Sequence, residues 1–160
     1  MIHILAFNAA FMCCLAYTFM RGGGPEKTAM LLQACALIIT IGAIHFLPRS
    51  ANFTGLAQAL AACDIALLLA LIALALRANR LWTIVLAGLQ LSTVLVHVSK
   101  ALIPALPAAS YGIFAQLWAW PMLLTTAAGT YAHSFRMKKF DKEADWKPFW
   151  PDPVQTTSTI

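Results

Sequence analysis

Five uninterrupted apolar runs, at residues 2–20, 29–47, 55–76, 81–103 and 111–133, take up most of this 160-residue sequence. A helix rising ~1.5 Å per residue needs ~20 residues to cross ~30 Å of hydrocarbon, and every run is long enough. Only a helix satisfies its own backbone there, and none of the runs shows the alternation of a barrel strand. The pattern therefore predicts an all-α fold, an integral membrane bundle of five transmembrane helices. Composition agrees: 61% of residues are hydrophobic, 11% are charged and the mean hydropathy is +0.75. Soluble domains run at ~45–50% apolar and ~25% charged, so a water-soluble fold is excluded, and disorder with it.

Breakers separate the runs: Arg21-Gly22-Gly23-Gly24-Pro25, Pro48-Arg49-Ser50, Arg77-Ala78-Asn79-Arg80, and the stretch from Pro104 to Pro107. Lys and Arg are unevenly shared among these links. Nine of the eleven fall after the first and third runs and in the tail, and only Arg49 and Lys100 fall on the other side. By the positive-inside rule the N-terminus faces out and the C-terminus faces the cytoplasm. The net charge of +5 then reflects orientation in a membrane, and nucleic acid is not expected as a partner. The domain boundaries that follow are a transmembrane domain at residues 1–133 and a cytoplasmic tail at 134–160. The first run lacks a positive n-region and carries its charge afterwards at Arg21, so it reads as a retained anchor. Cys13, Cys14, Cys35 and Cys63 all lie inside runs without ligand spacing.

Ionisable residues inside a span are functional hypotheses by default. Asp64 is the acid in the middle of the third run. The short link to the fourth run makes the two helices antiparallel neighbours. On the fourth, Gln90, Thr93, His97 and Lys100 recur on one helical face. Counted from the shared turn, Asp64 and Thr93 lie at the same height, ~18 Å up, with His97 one turn higher. This interhelical polar network reads either as a proton path or ligand site, or as glue between two helices. Glue is the reading adopted, because matching acids on other spans are absent.

His3, His45 and His97 form a second pattern. They lie on three different helices at one height near the outer face, ~24–26 Å up. Such a layer would suit a haem, a metal, a quinone or a pigment. The expectation is nevertheless that His45 and His97 do not ligate haem, since equal depth does not bring helices together. No cofactor is predicted, the metal question stays open, and a bound haem, pigment or lipid is the alternative. Helix three carries Ala59, Ala62, Ala66, Ala70 and Ala73 along one side, a small-residue face that predicts close packing at the bundle centre.

Aromatic residues supply the candidate docking set. Trp118 and Trp120 lie inside the fifth run, and Pro121 should kink it. The tail holds a basic start, three prolines, and Trp146, Phe149 and Trp150, large rigid anchors of the type enriched in binding hot spots.

Leu76-Arg77…Arg80-Leu81-Trp82, Gln90-Leu91…His97 and Trp118…Pro121-Met122-Leu123-Leu124…Gly129-Thr130 together resemble small polytopic bacterial inner-membrane proteins to which no activity is assigned. The resemblance covers the second half of the chain. It implies a multi-pass protein of the bacterial inner (cytoplasmic) membrane and carries over no site residues.

No nucleophile–base pair, cofactor fingerprint or paired acids occur, so catalytic residues are not expected. The function expected is a non-catalytic accessory or scaffold subunit of a larger inner-membrane complex, such as a respiratory or photosynthetic electron-transport assembly. Its partners would be membrane lipids and other membrane-protein subunits. The alternatives are a small carrier using the histidine layer and a proton-coupled transporter around Asp64.

Overall fold

The computed structural model describes residues 2–47, 55–78, 80–103, 107–140 and 146. These form six helices: α1 (Ile2–Arg21), α2 (Gly24–Phe46), α3 (Leu56–Arg77), α4 (Leu81–Leu102), α5 (Ala108–Leu117) and α6 (Ala119–Phe140). Among the described residues, α2, α3 and α4 are long and apolar enough to cross a membrane. The apolar part of α1 runs from Leu5 to Arg21. The surface has the same character. Ile38, Leu69, Leu76, Leu81 and Leu124 are exposed, whereas Glu26, Gln90, Thr126 and Thr130 are buried. Water would penalise both halves of that arrangement, and hydrocarbon around the bundle penalises neither.

Local chemistry sets the helix limits. The α1–α2 link is tight because Gly22 has no side chain: a Cβ there would lie 2.6 Å from the Thr18 carbonyl oxygen and 2.9 Å from Glu26 Cβ. Pro25 sits in the first turn of α2, where its missing N–H costs nothing. Helix α2 therefore starts before the apolar run, taking Glu26 and Lys27 with it. It ends at Leu47, extended as the residue before Pro48 must be. Ala78 and Arg80 are extended and turn the chain straight from α3 into α4. Gly55, with φ 59°, opens α3 in a conformation that side chains resist.

The fifth apolar run is not one helix. It divides at Trp118 into α5 and α6. Pro121 is the cause: it has no N–H for the Leu117 carbonyl, and its ring would collide with that carbonyl in a continuous helix. The kink expected at Pro121 is thus a break three residues earlier, with Pro121 left in the first turn of α6. The second helix then continues past His133 to Phe140.

Helix α3 packs against α4 and α2, whereas α6 touches α1, α2, α4 and α5. The centre of the bundle is therefore α6, not α3. The alanine face of α3 is not its packing face either. Ala62, Ala66 and Ala73 are exposed, and the buried side is Ala61, Leu67, Leu68, Leu71 and Leu74. Larger interdigitating side chains make more van der Waals contacts across a helix interface, and that term outweighs closer approach along the alanines.

A ladder of buried polar groups fixes α6. Thr18 of α1 shares a hydrogen bond with Thr130 (3.2 Å), and Gln33 of α2 donates to Thr126 Oγ1 (2.8 Å). The Cys14 thiol donates to the Leu123 carbonyl at 3.8 Å. Thr126 and Thr130 each also donate to the carbonyl one turn back.

Candidate functional site

A cavity of about 430 Å³ opens between the helices, and every helix contributes to its wall. One side is polar. Gln90 donates from Nε2 to Asp64 Oδ1 (2.9 Å) and to the Asp64 carbonyl (3.1 Å). His97 Nε2 lies 2.7 Å from Asp64 Oδ2. On the other edge of the imidazole, Nδ1 is 2.7 Å from the Tyr111 hydroxyl. The Tyr111 ring meets the His97 ring edge to face, with centroids 5.5 Å apart. The His97 side chain is 4% exposed and the Asp64 side chain 24%, so the carboxylate faces the cavity while the imidazole is held behind it.

This chain has a definite proton logic. With Asp64 ionised, His97 donates from Nε2, and its Nδ1 accepts from the Tyr111 O–H. A proton arriving at Tyr111 can be relayed across the ring to Asp64, because each ring nitrogen has its own partner. The opposite wall is apolar and aromatic. Phe7 packs edge-on against Trp120 at 5.3 Å and tilts against Phe11 at 6.2 Å. A polar acid–base edge facing an aromatic wall suits an amphiphilic ring compound.

Of the network expected from the sequence, the structure brings Asp64, Gln90 and His97 into direct contact. Thr93 lines the same cavity. Lys100 is buried one turn beyond His97 on the same helix. Tyr111 was not among the expected members, since its run gave no sign that α5 folds against α4.

Two of the three histidines of the expected layer have described side chains. His45 is exposed and hydrogen-bonded to its own helix at the Ile41 carbonyl (3.0 Å). His97 is engaged at both nitrogens. His3 lies in α1, and its side chain is outside the described residues. Among the described residues no group of three His, Cys, Asp or Glu side chains is placed to hold a metal. Shared depth fixes only one coordinate, and the direction in which each residue faces decides the rest.

The aromatic candidates also divide. Trp120 belongs to the cavity wall. Trp118 is half-buried at the α5–α6 break. The Trp146 indole lies on Gly24, where a Cβ would stand 2.9 Å from Nε1, and its backbone pairs with Ala78 in an antiparallel bridge. Trp146 thus lies against the α1–α2 and α3–α4 links of its own chain. Phe149 and Trp150 lie outside the described residues.

A second polar centre escaped the sequence reading. Glu26 is fully buried at the start of α2, with Arg80 Nε 3.8 Å from its Oε1. Arg80 donates from Nη2 to His133 Nδ1 at 3.5 Å. The polar residues of α6 recur at i, i+4 and i+7 as Thr126, Thr130 and His133, a periodicity that marks a buried polar face.

No family model, curated protein sequence or solved structure matches the chain.

Proposed function

We propose that this chain is a five-span protein of the bacterial inner membrane, N-terminus out and C-terminus in, whose bundle holds a small ring amphiphile of the quinone class. In this reading it is a ligand-holding accessory subunit of an electron-transport assembly and not a free-standing enzyme. The observation that carries it is the Asp64–His97–Tyr111 chain on the wall of a cavity that also presents the aromatic rings of Phe7, Phe11 and Trp120. A quinone needs an apolar, aromatic slot for its ring and tail. It also needs a donor at its carbonyl oxygen and, once reduced, an acceptor for the hydroxyl proton. Asp64, whose carboxylate faces the cavity, supplies the acceptor, and Tyr111 supplies the donor once the His97 proton sits on Nδ1, which frees the phenol O–H. The cavity volume falls within the ~300–1,000 Å³ usual for ligand sites. The nine-to-two distribution of Lys and Arg supports the orientation.

The test is a titration of the purified full chain with a short-tailed quinone, followed by tryptophan quenching. Saturable quenching by way of Trp120 is expected, weakened at least about tenfold in His97→Phe, the loss set by a charge-assisted hydrogen bond. A protein that fails to bind quinone yet carries protons into vesicles through Asp64 would make the transporter the correct reading.

A further inference from the structure

The cavity between the helices carries polar groups that the Asp64–His97–Tyr111 chain does not use. Gln33, Gln90 and Thr93 all line it, and each is at most 8% exposed. The Gln33 amide is locked in one orientation. Its Nε2 donates to the Ala29 carbonyl (3.4 Å) and to Thr126 Oγ1 (2.8 Å). Thr126 gives its own proton to the Met122 carbonyl, so it can only accept from Gln33. A flipped amide would set oxygen against oxygen on both sides. The Gln90 amide is locked in the same way, because its Nε2 donates both to Asp64 Oδ1 and to the Asp64 carbonyl. Each glutamine thereby keeps an Oε1 that accepts no hydrogen bond among the described residues. The Thr93 hydroxyl, on the same cavity wall, also makes none among them.

We infer that, on the quinone-class reading above, the bundle holds the reduced, hydroxyl-bearing ring in preference to the oxidised one, and that Gln33 and Gln90 set this preference.

Counting donors and acceptors gives the direction. With Asp64 ionised, its carboxylate and the two amide oxygens are three acceptors, whereas the Thr93 hydroxyl both donates and accepts. A quinone carbonyl accepts and never donates. It can take the Thr93 proton, but it leaves the acceptors facing it unpaired, where burial removes the water that would otherwise pair them. A hydroquinone carries two O–H groups. These donate to such oxygens, while their own oxygens still accept from Thr93. The rim of the cavity excludes an alkali cation as the natural occupant of these oxygens. Ile41, Ile44 and Trp120 stand exposed there, an entry that admits an apolar ring and not a hydrated ion.

Isothermal titration calorimetry of the full chain in detergent, with decyl-tailed para-benzoquinone and, under argon, its hydroquinone, tests this. The hydroquinone should bind at least about tenfold more tightly, the factor for one buried hydrogen bond. Gln33→Met removes the amide oxygen and should lower that ratio by about threefold or more, with quinone affinity unchanged. Gln90→Met should lower the ratio in the same direction. Thr93→Val should weaken both forms alike, because the hydroxyl meets either kind of oxygen, and so leave the ratio in place. Circular dichroism of each variant separates loss of the preference from loss of the fold. Equal affinity for the two forms in the native chain would overturn the inference and assign the amide oxygens to water, with the quinone-class reading intact. So would a ratio that survives both Gln33→Met and Gln90→Met. Binding of neither form would overturn that reading and this inference together.

Discussion

Asp64 accepts from two donors, Gln90 and His97, so its replacement has calculable consequences. Asn offers one acceptor oxygen and one amide. His97 can answer by moving its proton to Nδ1 and letting the Tyr111 oxygen accept. Asp64→Asn is therefore expected to unfold at nearly the native temperature while losing the proton acceptor, which quinol titration would register. Asp64→Leu leaves both donors stranded and should cost about 1–3 kcal/mol, visible in thermal unfolding in detergent. Glu26→Gln is expected to cost about 3 kcal/mol, because it removes a carboxylate from beside the buried Arg80 guanidinium. The first of these centres could be anticipated and the second could not. Asp64 and His97 flank one short link, and counting residues from a common turn gives both heights. Glu26 and Arg80 sit on two different links, outside every apolar run. Nothing in a hairpin count says which links meet.

Among the helices, the break at Trp118 and the close approach at Gly129 are the features most open to test. Pro121→Ala restores the missing N–H and is expected to let α5 and α6 join as one helix. Circular dichroism should then show undiminished helicity while quinone quenching falls, because Trp120 turns away from Phe7 and the cavity. Gly129→Ala drives a methyl into the Trp82 ring and should cost about 1–3 kcal/mol in thermal unfolding. The periodicity of the apolar runs marks what hydrocarbon accepts, not where a helix begins or ends. This is why α2 starts five residues before its run and α6 ends seven after its own. It also explains the misplaced centre. The alanines of α3 and the threonines of α6 both lie on one helical face, and it was the polar face that required burial.

Across the whole molecule, the α1–α2 link, the α3–α4 link and the end of α6 meet at one end, through Glu26–Arg80–His133 and through Trp146 on Gly24 and Ala78. Among the described residues this end also carries most of the Lys and Arg. A fluorescent protein fused after Ile160 should light up in the cytoplasm, and a thiol tag before Met1 should react with a membrane-impermeant maleimide. Both ends reporting the same side would refute five spans. The ladder on α6 has a further consequence for how the chain is made. Helix α1 leans mainly on α6, through bonds between residues 109 and 112 positions apart. As the ribosome delivers the helices in order, the first to enter the bilayer must wait, its cysteine and threonine facing lipid, until the sixth arrives. A photo-crosslinker placed at Cys14 should therefore label lipid in an arrested nascent chain that lacks α6, and α6 in the full chain.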